Sequence, residues 1–316
     1  MKTSPDQHRS EPLSKDLAAR IWSRLATGQS LTDLGLPTID GRVDLRGLPA
    51  PRVSSSERGR GIEELHDLTE VRGARWCALN FSGADLESLR FFDARIDNCV
   101  FDGARCRDWR MWGTTLADTS LRSADLRDSA LGGMADDGKR NAFVRVDFSK
   151  ADLRGTALPS ADFTGCVFSH TKLAKVDFQG CVFVDCVFEG LLDEVIFARR
   201  AFRGEHLPAN EMRGVDFRRA RLRWVLFRSL DMADVRWPEG DEHIVLDDYV
   251  PTLDRVLLAS KSRSDESGRR IAGLVESLRK WAGPNQRTGV IGKLELMEIG
   301  GEAAVADFMR MCGRTP

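Results

Sequence analysis

No apolar run in the 316-residue chain approaches membrane-spanning length, so no membrane partner is expected. No strong charge of either sign is present. The net charge is −1, which gives no global attraction to nucleic acid or to an anionic lipid surface. The seven cysteines include no CxxC pair. A reduced, cytoplasmic setting is the simplest expectation. Residues 1–14 are polar and hold no apolar core of signal-peptide length, so secretion by that route is not expected.

The familiar signatures of catalysis are missing as well. The sequence has no GxGxxG, no Walker loop, no HExxH, no GxSxG and no EF-hand pattern. "GVIGKLE" (289–295) contains Gly-Lys without the spacing or the Ser/Thr of a phosphate loop. His8, His66, His170, His206 and His243 stand apart, without partners at ligand spacing. The carboxylates are many but evenly spread, and general acid–base work needs two of them in one pocket. No catalytic residue, metal ligand or cofactor is expected.

What the sequence does have is a beat of five. Val71, Trp76, Phe81, Leu86, Phe91, Ile96 and Phe101 begin a first run that continues to Leu131. A second goes from Phe143 to Phe188, and a third from Phe197 to Trp237. Two residues before these apolar centres stand compact ones: Ala74, Ala84, Ala94, Cys99, Ala104 and Ala124, later Ala151, Thr156, Ala161, Cys166, Thr171, Val176, Cys181 and Cys186. Asp often lies between the two, and polar residues or Gly follow the centre. Neither a helix face, repeating every 3.6 residues, nor a strand face, repeating every 2, has this period.

The geometry follows from the spacing. A centre and the residue two before it point the same way on an extended backbone. One is large and one small, so both fit a narrow interior. The other three positions face water and turn a corner. The chain must therefore wind, and stacked coils would pair each other's backbone groups.

"ADLES" (84–88), "ADLRD" (124–128), "ADLRG" (151–155) and "ADFTG" (161–165) closely follow the A(D/N)LXX motif. The chain thus resembles the pentapeptide-repeat family over roughly residues 70–238. The resemblance implies an all-β repeat solenoid, a right-handed quadrilateral β-helix with four pentapeptides per coil. Helical segments are expected at the N- and C-terminal ends.

Domain boundaries follow from where the beat starts, stops and breaks. Residues 1–14 read as a disordered tail. Residues 15–69 read as a helical cap and linker: Ser14 caps a helix with Leu17, Ile21 and Leu25 on one face and Gly28 as its stop, and "VDLRG" (43–47) is a lone early pentapeptide. Residues 70–238 hold the repeats, and 239–316 form a helical cap or a dimerisation module. In that last segment Ile271, Leu274, Val275, Leu278 and Trp281 share one helix face.

The first break, between Leu131 and Phe143, shows two residues more than the beat allows and predicts a projecting loop over 132–142. The second spans 189–212, where one residue is missing and Arg200, Glu205 and Asn210 replace the compact residues. Polar groups in a narrow core are costly, so this coil is expected to bulge outward. Cys166 and Cys186 lie twenty residues apart and should stack as reduced core filler, since strand spacing is too wide for an unstrained disulfide.

Function is expected where a regular array is interrupted. One candidate partner-binding set is the loop, with Met134, Asp136, Asp137, Lys139 and Arg140. The other is a basic edge of Arg199, Arg203, Arg218, Arg219, Arg221 and Arg223, in which Arg203 should stack on Arg223 and Arg199 on Arg219. The family resemblance implies a non-catalytic binding protein. Its more specific implication is a partner such as DNA gyrase or topoisomerase IV, protected from a poison. The balanced charge departs from the acidic, DNA-like members, and direct nucleic-acid binding is not favoured. A general interaction scaffold, a homodimer through the C-terminal segment, and an enzyme with its chemistry in 239–316 stand as the alternatives.

Overall fold

The computed structural model describes residues 13–51, 70–200, 210, 212–230, 232–283 and 286–315. Residues 1–12 of the expected 1–14 tail, most of the linker (52–69), and Phe202, Arg203, Glu205 and Leu207 lie outside the described residues. The chain divides into two compact units, Met1–Lys172 and Leu173–Pro316.

In the first unit the chain winds with a repeat of twenty residues. On one side Val71, Phe91 and Met111 are in parallel register. On the next side Trp76, Ile96, Leu116, Phe143 and Phe163 are in register. Bridges through Asn80, Val100, Ser120, Asp147 and Val167 make a third side, and those through Asp85, Arg105, Asp125, Asp152 and Lys172 a fourth. Four pentapeptides therefore complete one coil, as expected.

The centres and the compact residues point inward. Phe81, Phe101, Phe143, Phe148, Phe163 and Phe168 are fully buried, as are Ala84, Cys99, Ala104 and Cys166. Successive coils stack their rings: Phe81 lies 5.0 Å from Phe101, Phe143 4.9 Å from Phe163, and Phe148 5.0 Å from Phe168. That distance is the strand spacing itself. Burying each Phe contributes about 2 kcal/mol, and the stacking a little more. Trp109 is an exception: it holds a compact position yet is fully buried, and its indole N–H donates to Leu86 O at 2.6 Å.

The corners account for the polar residues. Two places after each centre the backbone turns left-handed, at Asp93, Asn98, Asp108, Asp118 and Asp128 among others. Only glycine takes that conformation without cost, and Asn and Asp tolerate it best among the rest. The Asp before the centre has its own task. Asp44, Asp125 and Asp152 each accept hydrogen bonds from the backbone N–H and the guanidinium of the Arg two residues on: Arg46, Arg127 and Arg154.

The N-terminal helix α1 (Lys15–Thr27) closes the first coil. Ser14 Oγ accepts from Leu17 N, and Gly28 ends the helix in a left-handed turn. Ala18, Ile21, Trp22 and Leu25 are buried, while Leu17 is only half-buried. Trp76 of the first coil donates its indole N–H to Leu25 O at 2.9 Å. "VDLRG" is part of a coil, since Asp44 pairs in parallel with Asn80 and Leu45 is fully buried.

The second unit has the same coil with two irregularities. Phe178 and Phe197 pair nineteen residues apart, because the long strand Val187–Asp193 turns its corner with one residue fewer. Phe197 and Phe227 then pair thirty apart. The ten additional residues fall between Phe197 and Met212, in and around the segment outside the described residues. The outward bulge expected there falls largely on residues outside the described ones. Asn210, however, does not bulge. It is buried, and its carbonyl accepts from Met212 N (3.0 Å) and Phe183 N (3.3 Å).

The C-terminal segment closes the last coil. Strands His243–Leu246 and Gly289–Gly292 pair antiparallel. Helices α2 (Tyr249–Lys261), α3 (Glu266–Trp281) and α4 (Lys293–Met311) surround a core of Ile244, Leu253, Ile271, Val275, Leu296 and Phe308. Ser229 N donates to Trp281 O at 2.8 Å, and His243 Nε2 accepts from Leu222 N at 3.0 Å. The short strand pair was not expected, because strands of four residues have no readable period.

Candidate functional site

In a regular coil the residue after the centre faces water. The first side of the first unit places Arg72, Phe92 and Trp112 in that position, in one column. The rings of Phe92 and Trp112 stack in parallel, 4.6 Å apart, and the Arg72 guanidinium lies 3.9 Å from the centre of the Phe92 ring. Glu70 accepts from Arg72 Nε at 2.8 Å. A cation over a stacked aromatic pair is a favourable arrangement, yet neither ring is needed by the core. Both are half-buried on the outer face.

The next place in the column is Gly132, where the first interruption starts. Leu116 pairs with Phe143 and Ala130 with Ala157, so Phe143 is the very next side after Leu131. Twelve residues stand where five would do. The insertion is thus seven residues, not the two that the beat implied, because no pentapeptide forms between these centres. It folds as a hairpin: Met134 and Arg140 bridge antiparallel, and Ala135 N donates to Lys139 O at 2.8 Å. Asp136, Asp137, Gly138 and Lys139 are exposed. Gly113 lets the hairpin come close, because a Cβ there would meet Ala135 Cβ at 3.0 Å and Asp93 Oδ1 at 2.5 Å.

Arg140 corrects an expectation. Rather than presenting itself to a partner, it is buried, donates to Ser160 O (2.8 Å) and Ala161 O (3.2 Å), and pairs with Asp162 at 2.8 Å. Asn141 is fully buried beside it. Its Oδ1 accepts from Thr114 N, and its Nδ2 donates to Met111 O and Leu131 O, at 2.9–3.0 Å. These two residues anchor the hairpin to the coil, as Asn210 anchors the return of the second insertion.

Four arginines of the basic edge are neutralised. Arg218 pairs with Asp216 (2.7 Å), Arg219 with Glu189 (3.4 Å), Arg221 with Glu242 (3.2 Å) and Arg223 with Asp193 (2.6 Å). Of the two expected stacks only Arg199 on Arg219 falls on described residues, and it does not form. Asp193 is the register partner of Arg223, and Arg199 N donates to Arg228 O rather than lying beside Arg219. The thirty-residue register of this coil is the reason. Arg203 lies outside the described residues.

Residues 147–183 match the family model described as pentapeptide repeats (8 copies). That segment is a run of pentapeptide repeats. Its coils are those of a right-handed quadrilateral β-helix, and the repeats make a scaffold whose outward side chains vary. Three solved structures illustrate the likeness. Rfr23, a pentapeptide repeat protein from the cyanobacterium Cyanothece 51142, is 14% identical and covers 42% of this chain and 99% of its own, with a TM-score of 0.36. A trypsin-treated variant of QnrB1, a plasmid-mediated fluoroquinolone resistance protein, is 18% identical over 63% of this chain and 84% of its own, with a TM-score of 0.34. HetL, a pentapeptide repeat protein involved in heterocyst differentiation regulation in the cyanobacterium Nostoc sp. strain PCC 7120, is 17% identical over 67% and 95%, with a TM-score of 0.25. No curated protein matches the chain significantly.

The repeats bury Cys99, Cys106, Cys166, Cys181 and Cys186 and leave Cys77 exposed. Cys166 and Cys186 are both buried thiols rather than disulfides, each in its own unit. Burial pushes the Cys99 thiol up to about 12. Among the described residues no group of three or more His, Cys, Asp or Glu side chains is placed to hold a metal ion, and no helix is long and apolar enough to cross a membrane. Phe92 and Trp112 were missed in the sequence, although a signal was there: large aromatic residues twenty apart at a position that elsewhere is polar or small.

Proposed function

We propose that the protein is a non-catalytic scaffold that binds another protein through the outer face formed by Phe92, Trp112 and the 134–140 hairpin. The observation that supports this most is the outward stack of Phe92 and Trp112, capped by Arg72. Aromatic residues and Arg, set beside a polar tip, are the residue types that dominate protein contacts. The hairpin tip adds Asp136, Asp137 and Lys139, in the first unit and next to the stack.

The more specific reading is a type II topoisomerase, DNA gyrase or topoisomerase IV, protected from a poison in the cytoplasm. The repeat scaffold with its projecting hairpin favours it. The Asp–Arg pairs along the coils favour a protein contact over mimicry of a phosphate backbone, since paired carboxylates present little net negative charge. A supercoiling assay with a fluoroquinolone, run with the wild type and with Trp112→Ala, tests this reading. Protection by the wild type and its loss in the variant would support it, and the absence of protection by the wild type would end it.

A homodimer through the C-terminal segment is the second reading. Leu258 on α2 is 76% exposed, unusual for a leucine beside a packed core. Sedimentation of Leu258→Glu against the wild type tests it; an unchanged monomer in both rejects it.

A further inference from the structure

The second unit contains a cavity of about 530 Å³ between one side of its last coil and the helices that close it. That is the size of a small-molecule site. Its walls are Ile196, Val225 and Leu226 on the coil, Leu274 and Leu278 on α3, and Glu295 at the start of α4. Val225, Leu226, Leu274 and Leu278 are only half-buried, so apolar side chains on both walls stand apart across an open space. Packed interiors leave few such voids.

One polar group interrupts this lining. Glu295 is 93% buried, being 7% exposed. Its Oε1 accepts from Trp224 N at 2.7 Å, while Oε2 is buried without a hydrogen-bond partner. Gly292 makes the room, because a Cβ there would stand 1.9 Å from Oε2. A buried carboxyl oxygen with no donor is costly, and burial duly raises the Glu295 pKa. Among the described lining residues Glu194 is the other charged one and none is Lys or Arg; Lys175 lies outside the lining, 3.8 Å from Glu194. The rim is held in an unusual shape. Trp224 has a left-handed backbone (φ 53°), rare for a bulky residue, and its indole N–H donates to Glu298 Oε2 at 2.7 Å.

We propose that this cavity binds a small ligand with an apolar body and one protonated amine, its ammonium held in the field of the Glu295 and Glu194 carboxylates. The apolar walls take the body, and the two carboxylates select a cation over a neutral or acidic analogue. The site belongs to the second unit and does not depend on the contact face proposed for the first.

The probes are 2-phenylethylamine, 2-phenylethanol and 3-phenylpropanoate, titrated into the full chain at neutral pH by calorimetry and saturation-transfer NMR. The amine should bind, the alcohol more weakly, and the acid not at all. Glu295→Gln should weaken the amine roughly tenfold, by removing a negative charge from a partly desolvated site, and leave the alcohol unchanged. Leu278→Trp, which fills the cavity from its mouth, should abolish binding of both and serves if Glu295→Gln fails to fold. The proposal is overturned if no probe binds the wild type, if the acid binds as well as the amine, or if the amine binds either variant as tightly as the wild type.

Discussion

Trp112 lies flat on Phe92, ring centroids 4.6 Å apart and planes within 5°, on the water side of the first unit. The coil dictates the distance, since rungs twenty residues apart are held at strand spacing. The coil does not dictate that two aromatic residues occupy the column. Trp112→Ala should therefore cost only about 1 kcal/mol of stability, the scale of a partly exposed aromatic pair, while removing partner binding. Urea denaturation and a binding assay on the same sample separate the two effects. A loss of several kcal/mol would make the stack structural.

The hairpin offers a sharper contrast. Asp136→Ala touches an exposed tip and should leave stability within about 0.5 kcal/mol. Asn141→Leu strands Thr114 N, Met111 O and Leu131 O in a dry interior. It should cost about 3 kcal/mol or more, because each stranded group loses its only replacement for water. Equal melting temperatures for the two variants would contradict the anchoring role of Asn141.

Much of this was legible in the sequence, for a physical reason. A centre every fifth residue admits no helix or flat strand, so Phe143, Phe148 and Phe163 announced an inward column by spacing alone. The breaks were legible only as breaks. The beat cannot say how many residues leave the coil, since Leu131 and Phe143 fit either two extra residues and a pentapeptide or seven and none. Arg140 reads as a surface cation until its backbone acceptors, Ser160 O and Ala161 O, are seen one coil away. The same holds for Arg219 and Arg223, whose carboxylate partners Glu189 and Asp193 depend on a register altered by ten inserted residues.

The core itself is testable at Phe163, which stacks on Phe143 and is fully buried. Phe163→Ala should cost about 3–5 kcal/mol through lost burial and a cavity. Phe163→Asp adds an unpaired carboxylate and should prevent folding. A soluble Phe163→Asp protein with a native circular dichroism spectrum would refute the inward assignment.

Two carboxyls should respond to pH with opposite sign. The Arg127 guanidinium holds Asp125 below its ordinary value, against partial burial. The folded state then binds fewer protons, so stability is present above the ordinary carboxylate range and is lost as pH falls through the lowered value. Asp125→Asn should flatten that acid limb. Burial raises Glu295, so its folded form binds more protons, and stability falls as pH climbs from the ordinary range through the raised value. Glu295→Gln should therefore be more stable than the wild type at neutral pH, with the gap closing on acidification. Urea midpoints across pH check both, and a Glu295→Gln protein less stable at neutral pH would reverse the second sign.

Site-specific photocrosslinking tests the contact face most directly. A photoreactive residue is placed at position 112, at 136 on the hairpin tip, or at 154 on a different side of the same unit, and adducts formed in native cells are identified by mass spectrometry. The account predicts one shared protein adduct from 112 and 136 and none from 154. The same adduct from 154, or none from 112 and 136, would contradict it.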